Sequence, residues 1–299
     1  MITVGLDLGG TKILAAAVRD GQILDSVRVD TPQTGFDDVI TALVGTAETL
    51  KARGYESDAV GIGSPGPLDD ARRKVLFAPN IAGFDDAPVA DALEARLGKR
   101  VILENDANVA GYAEHLFGAA QGRYSSVFVT LSTGIGGGLF YGKEIIIGAH
   151  GMAGEIGHMT MMVGGPMGGD GHPGTLEALA AGRSIARDAT YAYNTQLDAR
   201  DVFERARAGD QKALGILDNA ALYTGIGLAN LVKVFDPEVF VIGGGLAQAG
   251  EFYLGRVRAS FETYLRGGYP VPPMLPATLG SDAGVIGAAA FAASKVGNA

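Results

Sequence analysis

Asp7, Gly9, Gly10, Thr11 and Lys12 lie within six residues of one another near the start of the chain, in the segment D-L-G-G-T-K. The two glycines lack a Cβ, so a bulky anion can approach their backbone closely. The N–H groups of such a turn can hold phosphate oxygens, the threonine adds a hydroxyl donor and the lysine a cation. Asp7 could hold Mg²⁺ through water. The segment predicts a phosphate site, although an ordinary glycine turn explains a single motif of this kind more often.

Two further glycine runs follow apolar strands: S-T-G-I-G-G-G ends at Gly138, and G-G-G-L-A begins at Gly243. Three such turns in one chain fit a bound nucleotide better than one does. A dinucleotide site is excluded for the second run, because a strand and not a helix follows it. The third run precedes a helix and is expected beside the base and ribose. The nucleotide-binding candidates in these two runs are Thr133, Gly134, Gly136, Gly243, Gly244 and Gly245.

Asp106 lies between a predicted strand, 100–104, and a predicted helix, 107–117. The helix dipole favours an ionised carboxylate at this position. Such a carboxylate can accept the proton of a bound hydroxyl that attacks a γ-phosphate. Aspartate at a helix start is also a common cap, so both roles stay open. Asn105 beside it is predicted to bind a hydroxyl or to form the turn.

Glu155, His158 and Glu177 are polar residues in an otherwise apolar, glycine-rich part of the chain. Residues three apart share a face if the segment is helical or tightly turned, so Glu155 and His158 are expected to lie together. Carboxylate and imidazole groups suit a polyhydroxy ligand. The alternatives are a buried, hydrogen-bonded histidine and an ordinary first-turn glutamate. His115 and His150 are predicted to lie at the surface.

The elements that must position these residues form two similar series. Strands at 2–8, 13–18 and 22–29 meet through Asp20-Gly21, a pair that tight hairpins prefer. Strands at 126–131, 139–141 and 144–147 repeat the pattern about 120 residues later, which predicts two similar α/β halves unless two glycine hairpins recur by chance. The predicted helices cover 37–53, 89–97, 107–117, 175–188, 199–209, 211–236, 250–265 and 283–295. Residues 150–174 and 270–276 are predicted to be irregular.

Composition excludes several classes of protein. The 299 residues include 24 Lys and Arg against 33 Asp and Glu, a net charge of −9, which disfavours nucleic acid and anionic membranes as partners. No cysteine is present, so there is no disulfide framework. The first residues lack the pattern of a signal peptide. The longest apolar stretch, 283–293, is too short to span a bilayer. We therefore expect a cytoplasmic protein.

Together the motifs resemble the ROK (repressor, open reading frame, kinase) family of sugar kinases over nearly the whole chain. The matching segments are D-L-G-G-T-K at 7–12, G-S-P-G-P at 63–67, A-P-N at 78–80, E-N-D-A-N at 104–108, L-S-T-G-I-G-G-G at 131–138, G-E-I-G-H at 154–158, L-E-A-L-A-A-G at 176–182 and V-I-G-G-G at 241–245. The resemblance implies an α/β, two-domain actin-like (ribonuclease-H-like) fold. The first domain would be 1–117 with 285–299 and the second 118–284, with sugar and ATP in a cleft between them.

The resemblance also implies an activity, that of an ATP- and Mg²⁺-dependent hexose kinase that makes glucose 6-phosphate, with Asp106 as the general base. A homo-oligomer, dimer or tetramer, is expected. The residues implied to bind the sugar are Gly66, Asn80, Asn105, Asp106, Glu155, His158 and Glu177.

Three alternatives to a glucokinase remain. The first is a kinase for fructose, N-acetylglucosamine or N-acetylmannosamine. The second is a sugar-sensing repressor, which is disfavoured because the chain is acidic and its first strand begins at Ile2, leaving no room for a helix-turn-helix domain. The third is a non-catalytic sugar-binding protein, against which the intact Asp7 and Asp106 argue.

A departure from the family pattern generates a prediction about metal. The family carries a structural zinc held by the histidine of G-E-I-G-H and three cysteines, whose positions are here Gly168, Asp170 and Thr175. A structural zinc site needs four ligands, usually thiolate or imidazole, and His158, Asp170 and His172 supply at most three. We predict that the protein binds no structural zinc. Metal analysis of protein purified without chelator should find none, and stoichiometric zinc would contradict the prediction.

Overall fold

A computed structural model describes residues 1–169 and 171–296, which form two compact units. The first unit contains Met1–Tyr124, Gly138–Gly154 and the chain from Thr278 onward, and the second contains Ser125–Gly137 and Glu155–Ala277. The predicted domain boundaries, 117/118 and 284/285, stay a prediction. Residues 118–124, 138–154 and 278–284 group with the first unit, although the prediction assigned them to the second domain. Asp170, one of the three predicted zinc positions, lies outside the described residues.

The described chain contains both strands and helices. The strands are β1 (Thr3–Leu8), β2 (Lys12–Arg19), β3 (Gln22–Asp30), β4 (Ala59–Ser64), β5 (Val75–Phe77), β6 (Asp85–Ala87), β7 (Arg100–Asn105), β8 (Ser125–Leu131), β9 (Ile135–Tyr141), β10 (Glu144–Ile145), β11 (Phe240–Gly243) and β12 (Met274–Pro276). The helices are α1 (Phe36–Ala52), α2 (Val89–Leu97), α3 (Asp106–Phe117), α4 (Leu176–Ala180), α5 (Gly182–Tyr193), α6 (Ala199–Arg207), α7 (Gln211–Phe235), α8 (Glu251–Tyr264) and α9 (Ala283–Val296). None of these helices is both long and apolar enough to cross a membrane.

The first sheet has the strand order β3-β2-β1-β4-β7. Strands β1, β2 and β3 are antiparallel neighbours, whereas β1, β4 and β7 run parallel. The β2–β3 turn has φ of 50° at Asp20 and 77° at Gly21. Positive φ at both central residues is what a tight hairpin of this type requires, so the predicted turn is confirmed.

The second sheet has the order β10-β9-β8-β11-β12, which is the first sheet's order repeated. Strands β9 and β10 are antiparallel, and β8, β11 and β12 run parallel. In each sheet the first strand of the series lies between an antiparallel neighbour and a parallel one. The predicted internal repeat is therefore confirmed at the level of topology.

Three predicted elements are wrong in detail. Strand β9 begins at Ile135, so the last three glycines of the second run lie in a strand and the turn ends at Gly134. Strand β12 lies inside the proline-rich segment 270–276, where it pairs in parallel with β11. Proline is tolerated there because β12 is an edge strand. The helix predicted over 175–188 is interrupted at Ala181, whose backbone is extended.

His115 is buried, with 3% of its surface exposed, and the prediction of a surface residue is wrong. Its Nε2 lies 2.7 Å from the carbonyl oxygen of Gly142, and its ring stacks on Phe140. A buried histidine is tolerated when its ring nitrogens find such partners.

Helix α9 packs against the first sheet at positions that have no side chain. A Cβ added at Gly5 of β1 would lie 2.1 Å from the carbonyl oxygen of Val285, and one at Gly61 of β4 would lie 1.9 Å from that of Ala288. Within α9 itself, a Cβ at Gly287 would lie 1.7 Å from the carbonyl oxygen of Val109 in α3. Backbone therefore meets backbone on both sides of α9, which only glycine permits.

This packing predicts opposite effects for two Gly→Ala substitutions. Gly61→Ala forces a methyl group into the α9 backbone and should destabilise the protein by about 1–3 kcal/mol, the usual cost of overpacking. Gly45→Ala, in the middle of α1 with no atom within 4 Å of the added Cβ, should stabilise it by about 0.5–1 kcal/mol. Thermal unfolding of both variants beside the wild type measures the difference. Equal midpoints for the two would contradict the packing argument.

Candidate functional site

The carbonyl oxygens of the first glycine turn accept hydrogen bonds from residues that follow β3. The carbonyl of Gly9 accepts a hydrogen bond from Thr31 Oγ1 at 2.7 Å, and that of Gly10 accepts one from Gln33 Nε2 at 3.0 Å. The Thr11 carbonyl is bound by the backbone N–H of Thr31 at 3.0 Å. Since these acceptors are occupied on one side, the turn presents fewer negative dipoles to a phosphate.

Asn80 lies against this turn. A Cβ added at Gly10 would lie 3.0 Å from the Asn80 carbonyl oxygen, so a larger residue would have to displace Asn80 slightly. Asn80, Gly10 and Thr11 line one open depression together with Thr31 and Gln33. The structure thus brings a predicted sugar residue next to predicted ATP residues in the first unit. Lys12, the first residue of β2, is exposed.

Asp7 and Asp106 lie on either side of Gly63. A Cβ added at Gly63 would lie 3.9 Å from Asp7 Oδ1 and 3.7 Å from Asp106 Cα. Burial, followed by the negative charge of Asp106, raises the pKa of Asp7 to about 7, and Arg28 opposes the shift. Burial also raises the pKa of Asp106. Two crowded, desolvated carboxylates favour a nearby cation, and oxygen ligands are those that Mg²⁺ prefers.

The cap of α3 is Asn105 and not Asp106. Asn105 Oδ1 accepts hydrogen bonds from the N–H groups of Ala107, at 2.9 Å, and Asn108, at 3.3 Å. Its Nδ2 donates to the Gly66 carbonyl at 3.3 Å, which joins two residues predicted to bind sugar. Asp106 is the first helical residue, and its Oδ1 accepts from the Ala107 N–H at 2.7 Å. The capping function that competed with the catalytic role is therefore supplied by the neighbouring residue.

A buried carboxylate that the sequence did not single out lies under this junction. Glu104 is fully buried, and its Oε1 accepts from Arg72 Nη1 at 2.5 Å, from Asn108 Nδ2 at 2.9 Å and from the Asn105 N–H at 2.9 Å. Within the described residues its Oε2 has no hydrogen-bond partner. Burial raises the pKa of Glu104, and Arg72 opposes the shift. The network fixes the backbone that carries Asn105 and Asp106.

In the second unit, Glu177 is held on both sides of its carboxylate. Its Oε2 accepts from the Ile135 N–H at 2.9 Å, and its Oε1 accepts from Arg183 Nη2 at 2.5 Å. A Cβ added at Gly134 would lie 2.4 Å from that Oε2, so glycine is needed there to admit the carboxylate. The Ile135 N–H, in the segment predicted to bind phosphate, therefore donates to Glu177, which was predicted to bind sugar.

The other two predicted sugar residues of this unit are brought together. Glu155 precedes a 3-10 turn, Ile156–His158, and its Oε2 lies 4.0 Å from His158 Nδ1. The N–H of Leu176, next to Glu177, donates to the Met159 carbonyl at 2.9 Å. This bond joins the G-E-I-G-H and L-E-A-L-A-A-G segments.

A cavity of about 640 Å³ lies within the second unit. Thr133 and Gly245, both predicted to bind ATP, line it, whereas Gly243 and Gly244 pack against Phe128 and Leu131. Gly136 lies in β9. Other residues that line the cavity were missed by the sequence analysis, and they include Arg183, Asp198, Arg200, Phe203 and Arg207. Nothing in their local sequence marks them, because they converge from α5 and α6 only through packing.

The segment that would carry a family zinc is held by backbone hydrogen bonds. The N–H groups of Met161 and Met162 both donate to the Gly174 carbonyl, at 2.8 and 3.0 Å, and the Gly168 N–H donates to the His172 carbonyl at 2.8 Å. Within 1–169 and 171–296, no group of three or more His, Cys, Asp or Glu residues is arranged to hold a metal ion. The absence of zinc stays a prediction.

Comparison with known proteins gives full-length matches. A model of the ROK family matches residues 3–295. The crystal structure of a ROK hexokinase from Thermus thermophilus is 47% identical with a TM-score of 0.96, and each chain is fully covered. A ROK family glucokinase from Streptomyces griseus, solved with glucose and AMPPNP, is 38% identical with a TM-score of 0.83 and covers 98% of this chain and 100% of its own.

Two curated relatives differ in the sugar that their names give. A glucokinase of Streptomyces coelicolor is 36% identical over 97% of both chains. An N-acetylmannosamine kinase of Yersinia pseudotuberculosis is 32% identical over 98% of this chain and 99% of its own. These matches and the repeated sheets confirm the predicted α/β, two-domain actin-like fold class.

The Glu104 network predicts a difference between two substitutions. Glu104→Ala leaves Arg72, the Asn105 N–H and the Asn108 amide without their acceptor, and should destabilise the protein by about 3–5 kcal/mol, as breaking a buried ion pair does. Glu104→Gln keeps an acceptor oxygen of the same shape and should cost less. Unfolding midpoints of both variants in denaturant measure the effect. A Gln variant as unstable as the Ala variant would show that the charge, and not the hydrogen bonding, holds the junction.

Proposed function

Because this chain belongs to the ROK family, we propose that it is an ATP-dependent hexose kinase whose preferred acceptor is glucose. The reaction transfers the γ-phosphoryl group of ATP to the 6-hydroxyl of the sugar and yields ADP and glucose 6-phosphate. The observation that carries the proposal is the pair of desolvated carboxylates, Asp7 and Asp106, flanking Gly63 beside a glycine turn. The glucokinases and hexokinase among its relatives support glucose as the acceptor.

Asp106 is assigned as the general base. Its carboxylate accepts the proton of the sugar hydroxyl as that oxygen attacks the γ-phosphorus, which leaves ADP as the departing group. A pKa raised by burial makes the carboxylate a stronger proton acceptor than an exposed aspartate. Asn105 and Glu104 hold the strand–helix junction, so the carboxylate is oriented before the substrate arrives.

ATP is assigned to the two glycine turns and the cavity of the second unit. Gly9, Gly10, Thr11 and Lys12 supply N–H, hydroxyl and ammonium donors for phosphate oxygens. Thr133 and Gly134 supply the second turn, and the cavity that Thr133 and Gly245 line accepts the rest of the nucleotide. A large cavity with a few polar groups is the usual form of such a site.

Mg²⁺ fits the carboxylate oxygens of Asp7, which would hold it through water. When bound, it neutralises the charge that the phosphate oxygens carry. Burial and the charge of Asp106 raise the pKa of Asp7 despite Arg28, and a bound cation would stabilise its ionised form further.

The sugar is assigned to polar groups of both units, with Gly66, Asn80, Asn105 and Asp106 in the first. In the second, Glu155, His158 and Glu177 supply acceptors and an imidazole for further hydroxyl groups. A kinase for N-acetylmannosamine is the second candidate, because a relative of that name is 32% identical over nearly the whole chain. Fructose and N-acetylglucosamine remain as acceptors to test. The homo-oligomer and the cytoplasmic location stay predictions.

Asp106→Asn should keep the fold and sugar binding but lose about 10²–10⁴-fold in turnover, because the amide cannot accept the proton. Steady-state ADP release measures the loss, and sugar binding is followed separately by thermal shift. Asp218→Asn, at a surface ion pair with Arg256, is a matched control that should retain wild-type turnover. If Asp106→Asn turns over within a few-fold of wild type, Asp106 is not the base.

A sugar panel tests the substrate. ADP release should be fastest with glucose when compared with fructose, N-acetylglucosamine and N-acetylmannosamine. Glucose without nucleotide should also raise the unfolding midpoint, since ligand at 100 times its Kd adds about 2.7 kcal/mol. If N-acetylmannosamine is phosphorylated and glucose does not raise the unfolding midpoint, glucose is not the acceptor but the proposed kinase activity stands. No turnover of any sugar would overturn the proposed function.

A further inference from the structure

One hydrogen-bond partner of Glu177, Arg183, lies outside the L-E-A-L-A-A-G segment. Its Oε2 is bound by a backbone N–H, that of Ile135, but its Oε1 depends on the guanidinium of Arg183, six residues further along the chain. Glu177 is almost buried, with 11% of its side chain exposed, whereas Arg183 is 47% exposed. A nearly buried carboxylate requires compensation of its charge, and Arg183 is the charged group that supplies it here.

The contact exists because the helix is interrupted. In one continuous helix, residues six apart lie about 240° apart around the axis and point away from each other. Here α4 ends at Ala180, Ala181 is extended, and α5 begins at Gly182. The N–H groups of Gly182 and Arg183 donate to the carbonyls of Ser132, at 2.8 Å, and Thr133, at 3.1 Å. The second glycine turn therefore fixes the start of α5 and directs Arg183 back to Glu177.

Arg183 also touches two other parts of the second unit. Its Nη1 lies 2.3 Å from where a Cβ on Gly169 would be, so it covers the backbone of the segment that precedes Glu177. It also lines the cavity that Thr133 and Gly245 line. One guanidinium thus contacts the candidate sugar carboxylate and faces the candidate nucleotide cavity.

We propose that Arg183 is a positioning residue for sugar recognition, which fixes the orientation of the Glu177 carboxylate from the wall of the nucleotide cavity. The inference rests on the proposed function, because it takes Glu177 as a sugar ligand. Each carboxylate oxygen has two acceptor sites, so one remains on each after Arg183 and Ile135 have bound. Held in one orientation, these sites receive sugar hydroxyls without further loss of side-chain entropy.

The competing assignment for Arg183 is direct contact with a phosphate or with the ribose of the nucleotide, since arginine is a common phosphate ligand. The two assignments predict that replacing Arg183 changes the affinity for different substrates. A positioning residue for Glu177 alters the affinity for the sugar even when no nucleotide is present. A nucleotide ligand alters the KM for ATP.

The test compares Arg183→Gln, Arg183→Lys and Arg187→Gln. Arg187 lies one turn further along α5 and pairs with Asp188, outside the cavity lining, so Arg187→Gln is the matched control and should behave as wild type. For each protein, the KM for glucose, the KM for ATP and kcat are measured, and the Kd for glucose is measured by calorimetry without nucleotide. If the sugar panel identifies another acceptor, that sugar replaces glucose.

Arg183→Gln should raise the Kd and the KM for the sugar about 10–100-fold, which is the usual effect of losing a hydrogen bond between charged groups. The KM for ATP should change by less than about threefold, and Arg183→Lys should recover part of the sugar affinity because it restores the charge. Retained ATP affinity also shows that the variant is folded.

A rise in the KM for ATP alone would overturn the inference and assign Arg183 to the nucleotide. Unchanged constants for both substrates would overturn it as well, because Glu177 would then hold its orientation unaided. In both cases the wild type still phosphorylates sugar, and the proposed function stands. A wild type without turnover on any sugar overturns the proposed function and this inference with it.

Discussion

The contact between backbone and backbone along α9 is the constraint on which the first unit depends. Gly5, Gly61 and Gly287 bring the helix so close to β1, β4 and α3 that no other residue fits. The same helix reaches the site itself, because a Cβ added at Gly284 would lie 2.8 Å from Asp7 Cγ. Helix α9 therefore sets the distance between the strand that carries Asp7 and the helix that begins at Asp106. Small residues in this interface determine the geometry of the carboxylates, although none of them touches a substrate.

Three carboxylates of the candidate site are largely removed from water, and the groups that offset their negative charge differ. Glu104 has an arginine and two N–H donors on one oxygen, and Glu177 has an arginine on one oxygen and a backbone N–H on the other. The pKa of Asp7 is raised by burial and by the nearby charge of Asp106, and Arg28 only partly opposes the shift. Glu104 and Glu177 each have an arginine fixed beside the carboxylate by the fold. A bound cation would stabilise the negative charge of Asp7, so this carboxylate suits a metal-bearing substrate better than a fixed ion pair.

The sequence allowed prediction of the repeated strand pattern, the hairpin at Asp20-Gly21 and the placement of Asp106 at a strand–helix junction, because each depends on residues close together in the chain. It did not allow prediction of the helix break at Ala181, since alanine favours helix. The break is imposed by hydrogen bonds that the N–H groups of Gly182 and Arg183 donate to the carbonyls of Ser132 and Thr133, about fifty residues away. The surface position predicted for His115 was wrong, and the role of Glu104 was not foreseen, because the burial of both residues is decided by distant segments. Which of the two neighbours, Asn105 or Asp106, caps α3 depends on a side-chain geometry that composition does not encode.

The late position of α9 in the chain has a consequence for synthesis. The second unit is drawn mainly from one continuous segment, Glu155–Ala277, whereas the first unit joins β1 to a helix that begins at Ala283. At about 5–20 residues per second, a ribosome needs roughly 14–55 s to proceed from the end of β1 at Leu8 to the start of α9 at Ala283. During that time the glycine face of β1 and β4 lacks its cover, and Asp7 lacks its final surroundings. A nascent chain can therefore complete its second unit while its first unit still lacks α9.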